Sequence, residues 1–195
     1  MKQKIAIMGG TFDPIHLGHL MIAEMVRSDA GMDRILFIPS GNPPHKQDHE
    51  ITAPEDRFEM TRLAIADHPY FDVSRIEIDR PGTTYTYDTM RALNSENDGS
   101  CDYYFILGAD AFDYVPYWKE AEKVIQEVQF LVVARPGYTV APLANMSQVR
   151  YQTVEMPQID ISSTEIRNRV REGRSIRYLV PEPVRAYIEE RKIYS

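Results

Sequence analysis

Two histidines three residues apart stand out in the segment GGTFDPIHLGHL, residues 9–20. A glycine pair precedes His16 and His19, and the segment directly follows an apolar run that ends at Met8. Glycines let backbone amides approach a ligand closely, and a helix that begins here presents unpaired N–H groups and a positive dipole end. Imidazoles at such a helix start can hold phosphate oxygens. The segment therefore indicates a phosphate site, although it is neither a GxxxxGK[ST] loop nor a GxGxxG loop.

Two other interpretations of the histidine pair stay open at this point. A glycine turn with two ordinary surface histidines needs no ligand. Zinc is the other, but ligand histidines on one helix usually lie four residues apart, as in HExxH, and no third ligand is evident. The phosphate interpretation is favoured because strand, glycines, proline turn and histidines occur together where a nucleotide-binding sheet needs them.

A second cluster of anion-binding groups occurs in IDISSTEIRNRVREGR, residues 159–174. Ser162, Ser163 and Thr164 open a predicted helix that carries Arg167 one turn later. Hydroxyls, free helix amides and a guanidinium that can make two parallel bonds suit the outer phosphates of a triphosphate. The alternative is a capping box, Ser162 with Glu165, followed by a solvated arginine.

Short apolar runs alternate with segments of helical period, which predicts a Rossmann-like α/β fold: a doubly wound parallel sheet with C-terminal helices, in one domain over 1–195. Strands are predicted near 4–8, 34–38, 72–78, 102–107, 128–134 and 150–154. Helices are predicted over 17–30, 54–67, 87–93, 118–127, 163–171 and 183–191. The ligand crevice of such a sheet lies outside the carboxyl ends of its strands. Chemistry is therefore expected in the loops after strands one, two, four and five.

Finer signals mark the ends of these elements. Thr52 with Glu55 has capping-box spacing, Pro54 suits an early helical position, and Gly173 suits the end of the helix that carries Arg167. The stretches 40–51 and 136–147 read as long loops, and the first of them follows a strand, a position that often forms ligand sites.

Composition excludes several classes of protein. The 195 residues carry 22 basic and 29 acidic side chains, a net charge of -7, which argues against a nucleic-acid partner and against an anionic membrane surface. The lone Cys101 excludes an intramolecular disulfide and a cysteine-built zinc site. The opening MKQKIAIMGG has no secretory pattern, and no apolar run approaches the roughly 20 residues of a membrane span. A cytoplasmic location is expected.

The two motifs GGTFDPIHLGHL and ISSTEIR resemble those of the nucleotidyltransferase superfamily that carries a (T/H)xGH motif. Within that superfamily the chain resembles the bacterial nicotinate-mononucleotide adenylyltransferases over essentially its whole length. The other matching segments are NPPHK (42–46), TYTYDTMRAL (84–93), FILGADAFDYVPYWKE (105–120), VVARPG (132–137) and VPEPVRAYIEERKIY (180–194).

This resemblance implies transfer of AMP from ATP to nicotinate mononucleotide in NAD biosynthesis, with Mg²⁺ carried mainly by ATP and no metal ligand from the protein. The implied catalytic residues are His16, His19, Lys46 and Arg167. The implied ATP-binding residues are Gly9, Gly10, Thr11, Phe12, His16, His19, Gly108, Asp110, Arg135, Ser163 and Arg167. The implied mononucleotide-binding residues are Lys46, Thr84, Tyr85 and Trp118. Trp118 would stack on the pyridine ring, and backbone amides near Thr84 and Tyr85 would bind its carboxylate.

Three rival functions remain at this stage. The same chemistry could use another acceptor, such as phosphopantetheine, or a cytidylyl donor. HLGH also occurs in class I aminoacyl-tRNA synthetases, but a KMSKS-like loop is missing and the chain is short and acidic. A non-catalytic nucleotide-binding module is the third. Trp118 could equally pack in a core, and the sequence leaves a homo-oligomer open.

Overall fold

The computed structural model describes residues 2–43, 51–134, 137–141, 143 and 148–195. Six parallel strands form one sheet in the order β3-β2-β1-β4-β5-β6. The strands are β1 (Gln3–Gly10), β2 (Arg34–Pro39), β3 (Phe71–Val73), β4 (Cys101–Gly108), β5 (Gln129–Ala134) and β6 (Arg150–Glu155). Because β4 returns beside β1 after the chain has built outward to β3, the strand order reverses between β1 and β4. A crevice at the carboxyl ends of these two strands is where such a sheet binds ligands.

Seven helices connect or follow these strands within the described residues. They are α1 (Leu17–Asp29), α2 (Pro54–Ile65), α3 (Thr86–Glu96), α4 (Ala109–Phe112), α5 (Ala121–Glu127), α6 (Ser163–Arg171) and α7 (Glu182–Arg191), and a 3₁₀ turn spans Val115–Tyr117. None of the described helices is long and apolar enough to cross a bilayer.

Both faces of the sheet carry buried apolar residues. Along β1, Ala6 and Met8 belong to one apolar cluster and Ile7 to another, because successive strand side chains point to opposite faces. The first cluster also contains buried residues of α1, α2, α6 and α7, whereas the second contains those of α3, α4 and α5. Helices on both faces confirm the predicted doubly wound α/β sheet.

Three predicted elements were wrong in extent by at least three residues at one end. The helix predicted over 87–93 continues to Glu96. The strand predicted over 72–78 ends at Val73, because the chain then turns away from the sheet edge through residues 76–80. The helix predicted from residue 118 begins at Ala121, since Glu120 has a left-handed backbone (φ 56) that interrupts a helix. The short helix α4 and the 3₁₀ turn were not predicted.

The helix ends show which signals were informative. Ser162 caps α6, because its side chain accepts a hydrogen bond from the Glu165 amide at 3.2 Å. Gly173 follows α6 with φ +67, as a terminating glycine should. The capping box predicted at Thr52 was wrong: the N-cap of α2 is Ala53, which makes no side-chain cap bond, although Pro54 does occupy the first helical position.

Candidate active site

The loop after β1 delivers both motif histidines to the start of α1. His16 is the N-cap residue, with an extended backbone (φ -143) before the first helical residue. Its amide donates to Nδ1 of His19 at 3.2 Å, and the two rings stack with their centroids 3.6 Å apart. Because Nδ1 of His19 accepts this bond, the neutral ring carries its proton on Nε2. His19 is thereby set as a donor.

His16 is buried, with 6% of its surface exposed. Burial lowers the pKa of its imidazole from 6.5 to about 4, so the ring is neutral near pH 7. Its side chain forms a capping box with the His19 backbone, but the buried Nδ1 makes no hydrogen bond of full geometry within the described residues. A Cβ at Gly18 would lie 3.0 Å from that atom, so the glycine leaves room for the ring. Buried polar atoms without a partner are rare in folded proteins, and a bound ligand or water is one explanation for such an atom.

Phe12 packs against the His19 ring of the histidine pair. It is 3% exposed, and its ring meets His19 edge-on with centroids 5.1 Å apart. A Cβ at Gly10 would lie 2.9 Å from the Phe12 ring, which explains the second glycine of the motif. Phe12 was expected to line the ATP path, and that role stays a prediction beside this packing.

The second anion segment docks onto the first. At the start of α6, Ser163 Oγ donates to the Pro14 carbonyl at 2.9 Å. Arg167 Nη1 donates to the Asp13 carbonyl at 2.8 Å, and its Nη2 donates to Thr164 Oγ1 at 3.2 Å. Two motifs that are about 150 residues apart in the sequence therefore form one site.

A buried arginine that the sequence analysis missed joins the loops around this site. Arg57, on α2, is 1% exposed and donates to the carbonyls of Thr11 (2.7 Å), Thr52 (2.9 Å) and Gly41 (3.2 Å). Burial lowers the pKa of Arg57, and the charge of Asp13 opposes that shift. Sequence offered only one signal, an arginine among apolar helix positions, and that pattern does not tell a buried arginine from an exposed one.

A cleft of about 360 Å³ opens at the carboxyl ends of β1 and β4. It brings together residues from the glycine loop and from the predicted acceptor segments: Gly9, Gly10, Thr11, Thr84, Tyr85 and Trp118. Trp118 is partly exposed and packs edge-on against Phe105, with centroids 6.1 Å apart. It therefore contacts the core on one side and lines the cleft on the other.

One of the amides near Thr84 and Tyr85 already has a hydrogen-bond partner in the structure. The Thr84 amide donates to the Asn42 carbonyl at 3.0 Å, so it is already engaged. Tyr85 is the N-cap of α3, and the N–H groups of the first turn of α3 follow it at the wall of the cleft. The positive end of α3 is the part of this segment that can receive a carboxylate.

Two charged residues that the sequence analysis missed also line this cleft. Glu77 Oε1 accepts from Thr89 Oγ1 at 2.6 Å; burial raises the pKa of Glu77, and the Thr89 bond opposes that shift. Lys119 Nζ lies 3.0 Å from Asp88 Oδ2 and 4.5 Å from the centre of the Tyr85 ring. Lys119 belongs to the matching segment 105–120, whereas Glu77 belongs to none of the matching segments, so only the fold shows that Glu77 lines the cleft.

A smaller groove of about 160 Å³ lies beyond β5 and β6, beside α1. Its walls include Ile22, Val133, Met156 and Ile159. Gly108 is the N-cap of α4 at the end of β4, and the exposed Asp110 lies in the first turn of that helix. The predicted site residues Lys46 and Arg135 lie outside the described residues.

Comparisons with known proteins agree with this architecture. The model of the cytidylyltransferase-like family matches residues 7–169. A probable nicotinate-nucleotide adenylyltransferase of Desulfitobacterium hafniense (strain Y51) is 44% identical, and the match covers 98% of this chain and 96% of the relative. A protein of the same description from Roseiflexus sp. (strain RS-1) is 47% identical, with 97% of each chain covered.

A solved structure shares the fold. The nicotinic acid mononucleotide adenylyltransferase of Plasmodium falciparum, complexed with NaAD, superposes with a TM-score of 0.77 at 22% sequence identity. The match covers 98% of this chain and 97% of that one. The Rossmann-like arrangement of sheet and helices is therefore common to both.

Proposed function

Because this chain belongs to the nicotinate-nucleotide adenylyltransferase family, we propose that it transfers AMP from ATP to nicotinate mononucleotide and releases pyrophosphate. The observation that carries the proposal is the docking of Ser163 and Arg167 onto the histidine loop, beside a cleft lined by Trp118. That arrangement offers one site for a triphosphate and a neighbouring site for an aromatic mononucleotide.

The triphosphate is proposed to lie between the starts of α1 and α6. His16 and His19 supply imidazole donors there, and Arg167 supplies a positive charge. Ser163, whose hydroxyl already donates to the Pro14 carbonyl, offers its backbone amide at the start of α6. A guanidinium has five N–H donors, and the bonds to Asp13 and Thr164 use two of them. The remaining donors can bind the departing pyrophosphate.

The adenosine is proposed to extend from the phosphates along the glycine loop, Gly9 to Thr11. The groove beside Ile22 and Val133 has the apolar walls that an adenine ring needs. Asp110 is the proposed ribose ligand, because a carboxylate accepts from two hydroxyls, and Gly108 lies at the same turn. Lys46 is proposed to bind a substrate phosphate, and Arg135 is proposed to lie beside the adenine.

The acceptor is proposed to bind in the 360 Å³ cleft. Its pyridine ring would stack on Trp118, and its carboxylate would face the first turn of α3 after Tyr85. Lys119 adds a cation at the same wall. This wall favours an anionic ring substituent over a neutral amide, which supports nicotinate over nicotinamide mononucleotide.

In the proposed reaction, a phosphate oxygen of the mononucleotide attacks the α-phosphorus of ATP in line. The bond to the bridging oxygen breaks, and that oxygen leaves with pyrophosphate, so no covalent enzyme intermediate forms. Such transfers depend on positioning and on stabilising charge that moves to the leaving group. Arg167 and the α6 amides would stabilise that charge, and His19 Nε2–H would donate to a phosphate oxygen.

Mg²⁺ is proposed to enter the site bound mainly to ATP. Within the part of the chain that the structure describes, no group of three or more His, Cys, Asp or Glu is placed to hold a metal ion. The donors of the loop and of α6 suit phosphate oxygens, so they fit a metal held by the triphosphate. When bound, the ion would neutralise phosphate charge.

The test is pyrophosphate release from ATP and Mg²⁺ with nicotinate mononucleotide, nicotinamide mononucleotide or phosphopantetheine offered in parallel. The expected result is fast pyrophosphate release with nicotinate mononucleotide as the acceptor and slower release with nicotinamide mononucleotide. A chain that released pyrophosphate only with phosphopantetheine, or only when CTP replaced ATP, would contradict the proposal. ATP binding without any release would indicate a nucleotide-binding module instead.

A further inference from the structure

A tyrosine beyond α7 contacts the histidine loop from the far end of the sequence. Tyr194 Oη donates to Asp13 Oδ1 at 2.6 Å. Asp13 is 4% exposed, and it lies three residues before His16. Burial, with the Asp13 carboxylate beside it, raises the pKa of the Tyr194 phenol, so the hydroxyl stays protonated and remains a donor. The bond is thus charge-assisted and largely shielded from solvent.

The backbone of Tyr194 is also unusual. Its φ is +70, in the left-handed region that residues other than glycine seldom adopt. Such conformations persist only where surrounding contacts hold them. The contact with Asp13 is one that holds the phenol in place after α7 has ended.

Asp13 is the point where several segments meet. Its carboxylate accepts from Tyr194 and, at 3.4 Å, from the Thr52 amide. Its carbonyl accepts from Arg167, one of the proposed phosphate ligands. The charge of Asp13 also stabilises the buried guanidinium of Arg57. Movement of Asp13 would therefore shift the loop segment that leads to His16 and the carbonyl to which Arg167 is bonded.

We propose that Tyr194 is a positioning residue for adenylyl transfer: through Asp13, its hydroxyl holds the histidine loop and Arg167 in the geometry that receives the triphosphate. The inference rests on the function proposed above only for the identity of the reaction. The hydroxyl of Tyr194 bonds to Asp13, and among the described residues no hydrogen bond joins it to a proposed phosphate ligand, although the charge of Arg167 acts on its pKa. The acceptor cleft is lined by other segments. Substitution of Tyr194 should consequently weaken the binding of ATP and leave the binding of the mononucleotide unchanged.

The chain offers a matched control. Tyr187 Oη, on α7, donates to Asp56 Oδ1 at 2.7 Å and ties α7 to α2. Tyr187→Phe and Tyr194→Phe each remove one hydroxyl that bonds to an aspartate. Only the second aspartate belongs to the histidine loop. Loss of stability alone would affect both variants, whereas loss of positioning would affect only Tyr194→Phe.

The experiment measures ATP affinity by calorimetry and kcat and KM for both substrates by pyrophosphate release. For Tyr194→Phe, we expect ATP affinity and kcat/KM for ATP each to fall about tenfold, because small displacements of positioned groups are costly. KM for nicotinate mononucleotide should stay unchanged, and Tyr187→Phe should match the wild type in every activity. Wild-type ATP affinity and turnover in Tyr194→Phe would overturn the proposal, as would equal losses in both variants.

A further variant tests the route through Asp13. In Asp13→Ala, the hydroxyl of Tyr194 has lost its acceptor, so adding Tyr194→Phe should cause no further loss of ATP affinity. An additional tenfold loss in the double variant would show that Tyr194 acts by another route. Calorimetry with ATP needs no acceptor. It therefore tests the positioning even if no pyrophosphate is released by the wild type, a result that would refute the proposed function alone.

Discussion

His16 should make the stability of this protein fall as the pH is lowered below 6.5. Its pKa is about 4 in the folded chain against an ordinary 6.5, because the ring is buried. The unfolded chain therefore binds this proton at a higher pH than the native chain does. The stabilising contribution is complete above pH 6.5 and is lost as the pH falls from 6.5 to about 4.

The size of this effect follows from the pKa difference. One pKa unit corresponds to about 1.36 kcal/mol, so full loss amounts to about 3 kcal/mol, of which about 2 kcal/mol is gone by pH 5. The assay is urea unfolding of the wild type and of His16→Asn between pH 8 and pH 5. Asparagine does not titrate in this range and is a favoured N-cap residue.

Carboxylates titrate in both proteins, so the difference between the two pH profiles isolates the imidazole. The wild type should lose about 2 kcal/mol more than His16→Asn between pH 8 and pH 5. Parallel profiles would refute the reasoning, because they would mean that the ring can be protonated in the folded state at no cost. A steeper profile for His16→Asn would do the same.

Three other substitutions probe the proposed site. His19→Ala should lower kcat about 10²- to 10³-fold, as loss of one preorganised donor does, while KM for the mononucleotide stays the same. Unchanged turnover would refute the role of His19 as a phosphate donor. The control is His68→Ala, which removes a histidine stacked on Phe71. Trp118→Ala should raise KM for nicotinate mononucleotide about tenfold through lost stacking, whereas Tyr114→Ala, 66% exposed on the same segment, should leave it unchanged; equal values in the two variants would contradict the stacking. Gly41→Ala places a Cβ 2.1 Å from the Glu77 carbonyl and should cost about 1–3 kcal/mol in urea unfolding; a wild-type midpoint would show that the backbone yields there.

The inner strands of the sheet could be predicted from sequence because they are buried on both faces. Such strands read as continuous apolar runs, and β1, β2, β4 and β5 are of this kind. The prediction failed after β3, where Ile76 and Ile78 alternate as in a strand. Their segment instead turns back so that the Glu77 carbonyl closely approaches Gly41. The turn brings together two segments that are distant in the sequence, and the alternation of Ile76 and Ile78 does not predict that contact.

The candidate site divides in the same way. The histidine loop and the start of α6 could be located from sequence, since glycines, hydroxyls and caps have local meaning. Their docking through Arg167 and Asp13 depends on the fold alone. The engaged amide of Thr84 and the cleft position of Glu77 also required the structure. Lys46 and Arg135 lie outside the described residues, and the ligand roles of all the site residues stay predictions.

Arg57 affects how mutational scans of this protein should be interpreted. Its guanidinium donates to three carbonyls, one in the loop after β1 and two in the connection between β2 and α2, an arrangement that the compact ammonium of lysine cannot reproduce. Even Arg57→Lys should therefore abolish activity as thoroughly as removal of a phosphate ligand, although Arg57 is 1% exposed. Intolerance to substitution would rank Arg57 beside Arg167 while saying nothing about which of them meets the nucleotide. Only a measurement that separates binding from folding can tell the two arginines apart.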